Sequence, residues 1–276
     1  MKKTVLAIGL VLALSLSAAA SFEFYGGGSY NTFDPEELNE FIKAINEDLE
    51  AWGDDGIPIG DPEAGGYLID PDDVEITKAE EIKSGFGAFG GVRYWVNPTM
   101  AVGGEIEYFG AKSEASVEVD TEVEVTEETY VPVEASVEGS ISASVTGFSG
   151  AGAFKASPEL TIFASAGYYY LNGEVGVKAD VDVENATLSG LIDAELEGLK
   201  GKSKFTDKGL GFKAGVAFAY PVADELSIVG RAAYRSLKFD EIEFDEDKND
   251  LGFKDDAIDE LDFSGLELGL GIVYSF

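Results

Sequence analysis

The chain contains no histidine and no cysteine. Ser–His and Asp–His hydrolytic pairs, thiol nucleophiles and His-ligated metals therefore cannot be assembled from it. Carboxylates and fixed cations are the chemistry that remains. Glu105 and Glu107 stand two apart, so on a strand they share a face, which is the minimum for a paired-carboxylate mechanism. Their company argues otherwise. Arg93, Lys155, Lys213, Arg231 and Arg235, together with Glu23 and Glu267, fall on the same inward parity of neighbouring strand-like segments. That grouping predicts an ion network filling an interior rather than a catalytic dyad. A second constellation is Asp245, Asp247, Asn249 and Asp256, at the first, third, fifth and twelfth places of an EF-hand-like loop. Asp250 stands where that loop requires glycine, and no helical pattern flanks it. Loose screening by divalent cations is the stronger expectation for so acidic a chain. No cofactor is predicted.

The elements that must position these groups are strands. Eight segments alternate with period two: Phe22–Tyr30, Ser84–Val96, Thr99–Lys112, Ile141–Ala156, Glu159–Leu171, Gly209–Tyr220, Glu225–Lys238 and Phe263–Phe276. Each has one greasy face, such as Leu160, Ile162, Ala164, Ala166, Tyr168 and Tyr170, and one small or polar face. Within the central part of all eight, no charge falls on the greasy face. Three connections are tight, at Asn97-Pro98, Ser157-Pro158 and Pro221 to Asp224. Four are long, at about residues 31–83, 113–140, 172–208 and 239–262. The pattern predicts an all-β, eight-stranded antiparallel up-and-down barrel that crosses a membrane. Four inward acids, Glu23, Glu105, Glu107 and Glu267, against five inward bases nearly cancel. Strand order puts Glu23 near Arg93 and Glu267 near Arg235.

Net charge is −34. The long connections hold 46 of the 53 acids, so the negative charge belongs to the outer loops. Nucleic acid is excluded as a partner, since phosphate needs basic surface. Two loops carry strand patterns of their own. Val117, Val119, Val123 and Val125 alternate with acids, Val131, Val133 and Val137 do likewise, and Val175, Val177, Val181 and Val183 repeat the pattern. The outward parity thus turns from greasy to acidic at a definite height, which predicts a sheet protruding beyond the membrane. The first loop predicts one short helix. Asp34 is placed as N-cap and Pro35 at the first helical position, with Leu38, Phe41, Ile42, Ile45, Leu49 and Trp52 on one face. A helix that caps the barrel mouth or folds against the other loops is the stronger expectation, and one that binds a partner or plugs the barrel is the alternative.

The two ends of the sequence carry addresses. Met1-Lys2-Lys3, an apolar run from Thr4 to Leu16 and Ala18-Ala19-Ala20 read as a signal peptide over residues 1–20, with the barrel occupying 21–276. No stretch approaches the ~20 apolar residues of a spanning helix. Leu266, Leu268, Leu270, Ile272, Tyr274 and Phe276 share the greasy parity of the final segment. An aromatic residue closing such a strand resembles the insertion signal of bacterial outer-membrane barrels, with Tyr274 and Phe276 in that role. By layout the chain resembles the small eight-stranded outer-membrane barrels of the OmpA, OmpX and OmpW type. The resemblance implies tight turns in the periplasm, loops outside, and assembly by the barrel-insertion machinery into outer-membrane lipid.

It further implies a non-enzymatic surface or structural role, with acidic loops meeting cations or an extracellular partner of unknown identity. A narrow cation-preferring pore or a transporter of small solutes or hydrophobic compounds is the second reading. Its basis is the many small inward residues, such as Gly85, Gly103, Gly211 and Gly271. A soluble periplasmic β-protein is the third. Lipases, proteases and deacylases of the outer membrane generally use histidine, so resemblance to them fails.

Overall fold

Eight antiparallel strands close into a ring. The computed structural model describes residues 21–55, 57–59, 67–126, 129–183, 200–253 and 258–276, so the signal peptide predicted over 1–20 lies outside the described residues. The elements run β1 (Ser21–Thr32), α1 (Glu36–Asp55), β2 (Ile57–Ile59), β3 (Tyr67–Ile69), β4 (Val74–Thr77), β5 (Ser84–Trp95), β6 (Met100–Thr126) and β7 (Thr129–Lys155). They continue β8 (Leu160–Val183), β9 (Gly201–Pro221), β10 (Leu226–Phe239), β11 (Glu243–Asn249), β12 (Leu261–Asp262) and β13 (Gly265–Ser275). The ring is β1, β5, β6, β7, β8, β9, β10 and β13, each hydrogen-bonded to the next. It closes where β13 pairs with β1, Phe24 opposite Tyr274 and Gly28 opposite Leu270. All eight predicted segments are ring strands.

The greasy faces point outward. Phe86, Ile106, Phe148, Leu210, Phe218 and Leu270 are all exposed around the wall. Aromatic rings gather at both rims. Phe22 packs on Tyr94 and Phe24 on Phe276 at the tight-turn end, and Tyr30 packs on Phe86 at the loop end, with centroids 5.0, 5.5 and 5.6 Å apart. Between Leu160 and Tyr170 the strand rises ~33 Å along itself, or roughly 25 Å of height once tilted, which matches a hydrocarbon layer. Leu270 is 67% exposed in the middle of β13. Leu270→Arg is expected to lower folding stability in lipid vesicles by about 2–4 kcal/mol, by urea titration. A loss no larger than that of Leu270→Ala would remove Leu270 from the lipid face.

Beyond the belt, β6, β7, β8 and β9 continue as one sheet. Thr126 pairs with Thr129 at the far tip of β6 and β7, and Val133 pairs with Val183 between β7 and β8. β4 adds to the free side of β6, and β11 to that of β9. The described residues of the segment 113–140 are thus strand, as its alternation predicted. β11 and β12 correct the reading of 239–262 as loop. Glu243-Phe244-Asp245 has poor strand propensity, but Phe244 packs on Phe205 and Phe253, with ring centroids 5.8 and 5.4 Å away. Tertiary packing overrides local preference here.

The protruding sheet is covered from within by α1. Leu49 packs with Val117, Val119, Val131 and Val133, while Leu38 and Ile42 join Phe33, Phe109, Tyr169, Phe205, Phe239, Leu261 and Phe263 in a larger cluster across the barrel mouth. Two asparagines fix the helix to the strap 78–83. Asn39 exchanges two hydrogen bonds with the backbone of Ile82, at 2.7 and 3.1 Å, and Asn46 does the same with Ala79, both at 2.9 Å. Glu37 accepts the backbone amides of Asp259 and Glu260 at 2.5 and 3.0 Å. One helix therefore ties the first and last long connections together. The helix begins at Glu36, with the carbonyl of Pro35 accepting from Asn39. Asp34 takes the Asn39 carboxamide at 3.2 Å.

Candidate functional site: a sealed ion layer

Inward parity brings the charges together from four strands. β6 supplies Glu105 and Glu107, β9 Lys213, β10 Arg231 and Arg235, and β13 Glu267, and all six are buried. Lys213 is the hub. Its Nζ meets Glu105, lies 2.9 Å from Glu107 Oε2 and 3.3 Å from Glu267 Oε2. Arg231 reaches Glu105 at 2.7 Å through Nη1 and Glu267 at 2.5 Å through Nε, the latter an ion contact without hydrogen-bond alignment. Arg235 lies 3.7 Å from Glu107 and 3.9 Å from Glu267. Three carboxylates face three bases, so the layer is neutral, as burial in low dielectric demands.

Uncharged groups complete it. Tyr169 Oη donates to Glu107 Oε1 at 2.6 Å. Arg235 donates to Asn31 Oδ1 at 3.2 Å and to the carbonyl of Phe263 at 3.3 Å. Its guanidinium lies 3.7 Å over the Phe109 ring, and that of Arg231 lies 3.2 Å over Phe89. Tyr169 fits only because glycines flank it. A Cβ added at Gly147 or Gly211 would overlap opposite edges of its ring.

Glu23 and Arg93 form a separate pair near the tight turns, 3.1 Å apart and in direct register between β1 and β5. Lys155 lies 4.4 Å over the Trp95 ring at the same end. The inward set named from the sequence is thus two groups plus Lys155. Tyr169, Asn31 and the Phe89 and Phe109 rings escaped the sequence reading because uncharged inward residues carry no distinguishing mark. Tyr169 had one signal: it breaks parity with Tyr168 and Tyr170 in an aromatic triplet.

Apolar layers lie on both sides. Below are Ala217, Val229 and Val273 with Tyr25 and Phe163, and above is the mouth cluster. Between the floor and the ion layer, a cavity of about 30 Å³ is lined by Tyr25, Arg93, Glu105, Ser165 and Arg231 among others. That is room for about one water molecule.

Three of the four residues of the EF-hand-like spacing lie on a strand rather than a loop. Asp245, Asp247 and Asn249 lie on β11, and Asp256 falls outside the described residues. Asp245 pairs with Lys248 at 2.7 Å. Asn249 Oδ1 accepts from Ser203 Oγ at 2.7 Å and from the Phe253 amide at 2.9 Å, which makes it a turn-stabilising residue.

Several solved outer-membrane barrels resemble the chain in outline. Ail of Yersinia pestis, solved with the heparin analogue sucrose octasulfate, is 11% identical, with 94% of this chain and 99% of Ail covered and a TM-score of 0.38. OprG of Pseudomonas aeruginosa is 12% identical, with 94% and 96% covered and a TM-score of 0.39. The protease OmpT of Escherichia coli is 7% identical, with 95% and 98% covered and a TM-score of 0.33. Likeness at this level says nothing about activity. No curated protein matches the chain significantly. The family described as outer membrane protein beta-barrel domain matches residues 4–276. With a closed ring, an outward greasy belt and that match over nearly all its length, the chain belongs to the outer membrane protein beta-barrel domain family.

Proposed function

We propose that the protein is a non-enzymatic outer-membrane barrel with a structural or surface role, exported by its leader and acting through the loop end. The observation that carries this reading is the sealed interior. A neutral ion layer lies between an apolar floor and an apolar mouth, with α1 tied across the top. Ions would have to cross both apolar layers and break buried pairs. The absence of histidine removes the usual general bases from the barrel wall. Work is thereby left to the outer surface.

That surface is strongly acidic. Asp120 stands opposite Glu134, which stands opposite Asp182, and Glu75 stands opposite Glu118. Directly opposed like charges destabilise a sheet unless screened. Dissolved cations or a basic partner would supply the screening. Planar-bilayer recording separates this reading from the pore reading. Folded protein is expected to give no stepwise conductance in 1 M KCl, whereas regular cation-selective steps would overturn the closed barrel.

A further inference from the structure

Small side chains leave a gap beside the ion layer. Ser165 on β8 stands in register with Ala151 on β7 and with Lys213 on β9. Ser165, Ala151 and Ala217 line the cavity of about 30 Å³ described above, while Arg93, Glu105 and Arg231 reach it from β5, β6 and β10. Short side chains from β7, β8 and β9 thus face long ones from the rest of the wall, and the lumen is not filled at this point.

Polar atoms of the same residues are unmatched. Ser165 Oγ and Arg231 Nη2 are buried and make no hydrogen bond among the described residues. Both residues are only 7% exposed. Arg231 gives Nη1 to Glu105 and sets Nε against Glu267, which leaves Nη2 over. Arg93 Nε, from the floor pair, is in the same condition. Buried polar groups are nearly always met, by protein or by ordered water, because an unmet donor forfeits its hydration for nothing. Three such groups on the lining of one cavity specify what fills it.

We propose that this cavity binds a single water molecule, held by Arg231 Nη2 and Ser165 Oγ. Size, charge and polarity each select it. The volume exceeds the ~10–15 Å³ that one water needs and admits nothing much larger. A cation would sit beside two guanidiniums and an anion beside Glu105, and either would add net charge to a neutral buried layer. An apolar occupant would leave the donors unmet. Water can accept from the guanidinium and still exchange a hydrogen bond with the hydroxyl. Because Arg93 lines the same space, the water also lies between the Glu23–Arg93 pair and the ion layer, two groups that side chains alone leave separate.

Crystals of the folded barrel grown in sodium bromide, diffracting well enough to show ordered water, test this. One isolated density peak is expected within hydrogen-bonding distance of Arg231 Nη2 and Ser165 Oγ, without anomalous scattering at the bromine edge. Ala217 stands directly opposite Arg231 on β9. Ala217→Val should fill the space, leave both polar groups in place and abolish the peak. No peak in the parent, a peak that carries the bromine signal, or one that survives Ala217→Val would overturn the proposal. Heat-modifiable mobility on gels verifies folding, and Ser165→Val, with the same expectations, serves if Ala217→Val does not fold.

Discussion

Lys213→Met is expected to lower the unfolding free energy of the barrel in lipid by about 3–5 kcal/mol, the usual result of removing one partner from a buried ion pair. Lys213 touches Glu105, Glu107 and Glu267, and its side chain has no solvent exposure. Methionine fills much the same volume, so the loss is electrostatic. Two arginines are left to balance three carboxylates, in a layer with room beside it for about one water molecule. Urea titration followed by tryptophan fluorescence and gel mobility measures the change. Adding Glu107→Gln restores the balance and should recover part of the loss. A single variant within about 1 kcal/mol of the parent would show that the layer is solvated and the pairs incidental. No recovery in the double variant would assign the effect to packing.

Gly211→Val should cost nearly as much, although it removes no interaction directly. The new side chain would collide with one edge of the Tyr169 ring, while Gly147 holds the other edge close to β7. The ring cannot shift without moving Oη from Glu107, now 2.6 Å away. Overpacking costs about 1–3 kcal/mol, and a lost hydrogen bond to a buried carboxylate about 1.5–3 kcal/mol. The sum is about 2.5–6 kcal/mol if both penalties are felt. In a Tyr169→Ala background the same valine should be nearly harmless, a coupling that a double-mutant cycle measures. Equal cost in both backgrounds would sink the account.

Strand period and charge parity made the ring legible in the sequence, because a lipid-facing wall tolerates few exceptions. One charge at mid-depth on a greasy face would have broken the reading, and none occurs. The protruding sheet was legible for a related reason, since its valines keep the inward parity while acids take over the outward one. β11 was not, because its charged residues become a strand only through the contacts of Phe244. The inward charges were legible as a set, and the pair Glu23–Arg93 as neighbours in register. Their grouping around Lys213 was not legible, since it depends on how far each long side chain reaches across the lumen. Nor was the seal legible. It needs Phe33, Phe109, Phe239 and Phe263, drawn from four separate stretches, to meet at one level.

The ion layer also bears on the order in which the wall is completed. Its members on β6, β9 and β10 comprise two carboxylates and three bases, so those strands alone enclose one surplus positive charge. The missing negative charge is Glu267, on β13, the strand that seals the circle against β1. Lateral closure and electroneutrality of the ion layer thus depend on the same strand. An open sheet lacking its last strand is out of balance as well as unpaired, and docking of β13 relieves both faults together.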